Sequence, residues 1–104
     1  MANNVLKNIQ GLNVKCDLLT NSDWHNVTKT RYVDKDTNYM FARVDSHTSV
    51  QPISLNDINF DYKIIVISDY DKGFLTKVDI DTICTSHECV FLDTKKILGD
   101  WATE

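Results

Sequence analysis

The sequence predicts an α/β domain: a small, mainly parallel sheet built on a βαβ core, preceded by an antiparallel β-hairpin. Three observations carry that prediction. Two short apolar runs, "KIIVIS" (63–68) and "CVFLD" (89–93), flank a helical stretch with a capping signal at its start. Residues 27–45 alternate in polarity on either side of a polar turn. The chain has 104 residues, 42% of them hydrophobic, which suits one domain (1–104) with a modest core.

The elements follow in chain order. In "NNVLKNIQGL" (3–12), Val5, Leu6, Ile9 and Leu12 recur at helical spacing, and Gly11 to Asn13 tolerate the positive φ of a helix end. "VKCDLL" (14–19) reads as a short strand. The hairpin spans 27–45: "VTKTRYV", the turn "DKDTN", then "YMFARVD". Its second arm sends Met40, Ala42 and Val44 to one face and Phe41, Arg43 and Asp45 to the other, while Lys29 and Arg31 share a face in the first. That pattern predicts a half-buried hairpin whose charged face is either solvated or used for binding. Residues 46–61 form a polar connection with a helical turn around Ser54 to Ile58.

The βαβ unit occupies 62–96. "KIIVIS" is apolar at successive positions, the mark of a strand covered on both sides as in parallel sheets. Thr76 and Asp79 form a capping-box pair ahead of Val78, Ile80, Ile83 and Cys84, which places a helix up to about His87. "CVFLD" is again apolar, and strand, capped helix and strand within about 31 residues is the size of a βαβ crossover.

Composition bounds the function. A net charge of −4 argues against a general nucleic-acid binder but leaves room for a small anionic ligand. No apolar run approaches the roughly 20 residues of a membrane span, and the polar start "MANNVLKN" has no signal-peptide character. A cytoplasmic protein is therefore expected. Cys16, Cys84 and Cys89 lack a disulfide framework and are read as reduced thiols. "CTSHEC" offers Cys84, His87 and Cys89 as soft ligands, but a zinc site needs four converging groups, and no metal site is assigned.

Both strands of the βαβ unit end in acids and lysines: Ser68-Asp69-Tyr70-Asp71-Lys72-Gly73 and Asp93-Thr94-Lys95-Lys96. In open parallel sheets, ligands bind in the crevice beyond the carboxyl ends of the strands. Adjacent strands about 4.8 Å apart would open Asp69 and Asp93 onto one crevice, with Lys72 and Lys95 above. The acids suit sugar hydroxyls and the lysines suit phosphate oxygens. The alternative is that these groups only cap strands and solubilise loops.

These segments resemble the ribokinase-like (PfkB) carbohydrate kinases, most closely the heptose-phosphate kinase domain found in bifunctional ADP-heptose synthases. "VISDYDKGFLT" resembles the S-D-Y-x-K-G-x-L-T segment, and "VFLDTKK" the following strand ending D-P-K or D-T-K. "VTKTRYV" and "FARVD" are similar to the family's T-K-x-R and R-x-D strands, and "NVKCDLL" to the segment ahead of them. "MANNVLKNIQGL" resembles the G-G-A-x-N-V helix with Asn4 at the sugar-contacting asparagine, although Met1 stands where a glycine is expected. The resemblance implies a partial ribokinase-like fold and a sugar-phosphate ligand. It makes Asn4, Lys29, Arg31 and Arg43 substrate-side residues.

A complete family member would use ATP and Mg²⁺, with a G-A-G-D motif supplying the catalytic Asp and an anion hole at a helix N-terminus. No G-x-G-D motif occurs here, and there are three glycines in all. No catalytic residue and no cofactor are therefore assigned to this chain, which is expected to be inactive alone. It is either the middle part of a sugar kinase or a stand-alone module for sugar-phosphate binding or dimerisation. An abbreviated sheet should leave apolar surface uncovered, which predicts a homodimer.

Overall fold

The computed structural model describes residues 2–46 and 49–97. Helix α1 runs Ala2–Gly11 and ends as expected, with Asn13 at φ 58° beyond it. No residue of α1 is buried. The strand expected over 14–19 does not form. Among the described residues this stretch finds no strand to pair with. It is tied to a distant segment by the Tyr62 hydroxyl, which donates to Asp17.

The hairpin forms close to its predicted bounds, as β1 (Thr28–Val33) and β2 (Met40–Ser46), paired antiparallel with a register shift between Tyr32 and Val33. Asp34 shapes its turn. The Asp34 Oδ1 atom accepts from the Asp36 and Thr37 N–H groups at 3.0 and 2.7 Å and from the Thr37 hydroxyl at 2.8 Å. Asn38 takes φ 57°, a conformation its short polar side chain tolerates. The expected half-burial is corrected here: every residue from Thr28 to Asp45 is exposed.

The expected turn is a single 3₁₀ turn, Leu55–Asp57, and a second covers Trp24–Asn26. The βαβ unit is then built from β3 (Ile65–Asp69), helix α2 (Lys77–Ser86) and β4 (Val90–Thr94). Strands β3 and β4 are adjacent and parallel, with Ile65 opposite Val90 and Asp69 opposite Thr94. The capping box closes as predicted: Thr76 Oγ1 accepts from the Asp79 N–H at 3.1 Å, and Asp79 Oδ2 accepts from the Thr76 N–H at 2.8 Å.

The core is small and lies between α2 and one face of the sheet: Ile67, Leu75, Ile80 and Ile83, flanked by Ile53, Leu55, Ile58, Phe60 and Leu92. Ile80 is fully enclosed, whereas Val78, two residues earlier on the helix, is 73% exposed. His87 links the starts of both strands. Its Nδ1 accepts from the Cys89 N–H at 3.0 Å and its Nε2 donates to the Tyr62 carbonyl at 2.6 Å, which requires the Nε2–H tautomer.

The prediction that β3 is covered on both sides is also corrected. Side chains alternate across a strand, so Ile65 and Ile67 face α2 while Ile64 and Val66 face away, and Phe91 joins them from β4. Ile64, Val66 and Phe91 are 54%, 51% and 61% exposed. One helix covers one face, and among the described residues nothing covers the other. The radius of gyration, 16.4 Å, exceeds the roughly 13 Å of a compact 100-residue domain, as expected for two separate two-stranded sheets.

Candidate functional site at the carboxyl ends of the parallel strands

Parallel pairing brings the ends of β3 and β4 together, and register decides which side chains meet. Asp69 sits opposite Thr94, so both point to the α2 side, while Ser68 and Asp93 form the neighbouring pair on the open side. Asp69 and Asp93 therefore share an end of the sheet but not a face. The cation that Asp69 meets is Lys96, two residues beyond Thr94, rather than Lys95.

Asp69 is buried, at 6% exposure, and both of its carboxylate oxygens are hydrogen-bonded. Its Oδ2 accepts from Lys96 Nζ at 2.6 Å and from the Thr94 hydroxyl at 2.9 Å, and its Oδ1 accepts from the Asp71 N–H at 3.1 Å. Lys96 also reaches Asp71 Oδ1 at 2.7 Å. Burial alone pushes the Asp69 carboxyl up, but the Lys96, Thr94 and Asp71 donors, with the Lys96 charge, outweigh it and hold the group below its ordinary value. Burial likewise depresses the Lys96 ammonium, and the two carboxylates more than reverse this, so it lies above the ordinary lysine value. Each carboxylate takes one Lys96 proton, which leaves one of three N–H donors for an incoming oxygen.

The loop after β3 is bent by two left-handed residues, Asp71 at φ 56° and Gly73 at φ 93°. A Cβ on Gly73 would meet the Val50 carbonyl at only ordinary contact distance, 3.5 Å, so the positive φ is what calls for glycine. Segment 49–53 straps this loop: the Val50 N–H donates to the Lys72 carbonyl at 2.8 Å and the Ile53 N–H to the Phe74 carbonyl at 2.9 Å. Lys72 is half-buried, and Lys95 and Asp93 are exposed at the same end of the sheet.

No family model, curated protein or solved structure matches this chain. The site is therefore judged on its own groups.

The remaining predicted residues lie elsewhere. Asn4 is exposed on α1. Lys29, Arg31 and Arg43 are exposed on one face of the hairpin, where Arg31 lies directly opposite Arg43 and Lys29 opposite Asp45. Asp45 grips Arg43 with both oxygens, at 3.1 and 3.2 Å. Like charges directly opposite in a sheet repel, and Asp45 offsets that repulsion by pairing with Arg43. Among the described residues no hydrogen bond or ion pair joins these groups to the strand-end cluster.

Asp71, Thr94 and Lys96 were not singled out from sequence. The signal for Lys96 and Thr94 was present: counting by twos from the expected strand puts 94 and 96 on one face and 93 and 95 on the other. Asp71 had no such signal, because its position depends on a left-handed turn at a non-glycine residue.

Proposed function

We propose that this chain is a sugar-kinase-like domain that binds a sugar phosphate at the carboxyl ends of β3 and β4 and does not itself transfer phosphate. The observation that carries the proposal is the parallel pairing of β3 and β4, which gathers Asp71, Lys72, Asp93, Lys95 and Lys96 at one end of one sheet. Lysines there act as point charges toward phosphate oxygens, and exposed carboxylates accept from sugar hydroxyls. Asp69 takes a different role from the one its position suggested: it fixes Lys96 instead of touching ligand.

The resemblance to the heptose-phosphate kinases supplies the ligand class. A complete kinase of that family would add ATP, Mg²⁺ and a catalytic Asp. This chain lacks the G-x-G-D segment, and its three glycines leave no phosphate-cradling loop. The hairpin cations Lys29, Arg31 and Arg43 and helix residue Asn4 are assigned to the substrate side on the same resemblance.

The test is calorimetric titration with a heptose phosphate, the parent heptose and inorganic phosphate. Heat is expected with the sugar phosphate, and Lys72→Ala with Lys95→Ala should weaken binding by about tenfold or more, the size of one or two lost charge-assisted contacts. No heat with any sugar phosphate sinks the binding proposal. ATP consumed only when sugar is present overturns the claim that this chain does not transfer phosphate.

A second reading, a dimerisation module, is favoured by one observation: the open side of the sheet exposes Ile64, Val66 and Phe91.

A further inference from the structure

Charge at the carboxyl ends of β3 and β4 is unevenly shared. Asp69, Asp71 and Lys96 set two carboxylates against one ammonium, so their cluster is negative by one charge. Among the described residues Lys72 and Lys95 enter no ion pair, and both lie at the same end of the sheet. A phosphate is drawn to those two lysines and repelled by Asp71, because like charges brought together cost affinity.

The cluster's unused hydrogen-bonding capacity says what it takes in. Asp71 Oδ1 holds Lys96 Nζ at 2.7 Å, while Asp71 Oδ2 accepts no hydrogen bond among the described residues and the side chain is 55% exposed. Lys96 keeps one N–H beyond those directed at Asp69 and Asp71. An acceptor and a donor thus stand side by side on one ion pair. A hydroxyl satisfies both, giving its proton to Asp71 and accepting from Lys96, whereas a phosphate dianion can only accept. The frame beneath the pair is fixed. The Thr94 hydroxyl donates to Asp69 and accepts the Lys96 N–H at 3.1 Å, and the Asp71 N–H donates to Asp69 at 3.1 Å.

We propose that the Asp71–Lys96 pair recognises a hydroxyl of the sugar, and that the ligand's phosphate lies away from it, toward Lys72 and Lys95. This rests on the sugar-phosphate reading and fixes the direction of the ligand within that site. Asp71 then selects for the polyol, and Lys96 is a hydroxyl donor instead of a phosphate clamp. A fixed donor and acceptor favour a ligand carrying that hydroxyl over one lacking it, which leaves both groups unpaired. In the opposite arrangement a phosphate would displace Asp71 from Lys96, and Asp71 would act as a built-in competitor. The two arrangements predict opposite signs for the loss of the Asp71 charge.

Lysine side-chain NMR of the full chain, following the Cε–Hε signals, tests this in separate titrations with neutral heptose, heptose phosphate and inorganic phosphate. Heptose and heptose phosphate should both move the Lys96 signal. Inorganic phosphate should move Lys72 and Lys95 more than Lys96. Asp71→Asn is the deciding variant, because asparagine tolerates the left-handed φ of 56° and keeps the loop in place. It should weaken heptose and heptose phosphate about five- to tenfold, the size of one lost charge-assisted hydrogen bond. Inorganic phosphate, relieved of a like charge, should bind no more weakly. Heptose phosphate binding that is unchanged or tighter in Asp71→Asn overturns the proposal and leaves the sugar-phosphate reading standing. Inorganic phosphate that moves Lys96 most does the same. Heptose phosphate that moves none of the three lysines overturns both.

Discussion

At the scale of single residues, Asp69 and Lys96 are the most informative pair. A carboxylate at 2% side-chain exposure and an ammonium at 10% are tolerated because every oxygen and two of three ammonium protons are bonded. Asp69→Asn removes the charge but not the volume and should destabilise the fold by about 2–4 kcal/mol, less than a fully orphaned partner costs because Lys96 keeps Asp71. The acid limb should change as well. Asp69 has a lowered pKa in the folded state, so its contribution is complete above the unfolded value of about 3.9 and is lost as pH falls through the folded value. Lys96, raised in the fold, contributes fully below about 10.4 and loses its share only as pH rises beyond that. Acid unfolding followed by circular dichroism should therefore be flatter below pH ~4 in Asp69→Asn than in the parent, and an unchanged acid limb would show the pair to be idle.

At the scale of elements, helix α2 is specified twice, by its cap and by its buried stripe, and the two contributions separate by size. Thr76→Ala removes one half of the capping box and should cost about 1 kcal/mol. Ile80→Ala empties a fully enclosed site against β3 and should cost about 2–5 kcal/mol. Urea unfolding of both variants checks the order, and a Thr76 effect equal to or larger than the Ile80 effect would contradict it. The corrections at this scale share a cause. "VKCDLL" and the hairpin carry strand-like alternation, yet alternation reports only which side chains share a face. Whether a neighbour pairs with the backbone or covers the face is a long-range matter.

At the scale of the whole molecule, cohesion is uneven. All four buried core residues lie in the βαβ unit or the loop leading into its helix, and the hairpin contributes none. A two-stranded hairpin without a covered face is marginal in water. Amide hydrogen exchange should follow this division: β1 and β2 amides should exchange early, at near-zero opening cost, while Ile67, Ile80 and Ile83 should exchange last, close to global unfolding. Equal protection across both regions would mean that the hairpin is buttressed in solution by contacts absent from this structure.

The sequence by itself determined the local order of this protein: helix, hairpin, then strand, capped helix and strand, each within a few residues of its place. Those features rest on periodicity, capping and turn chemistry, all of which act over a handful of neighbouring residues. Tertiary structure alone decided that Asp69 faces Lys96 instead of sharing a face with Asp93, that Asp71 closes the cluster, and that Ile64, Val66 and Phe91 remain uncovered. The physical reason is register. Sliding one parallel strand past another by a single residue exchanges every side chain between covered and open faces, and only packing against α2 fixes that choice.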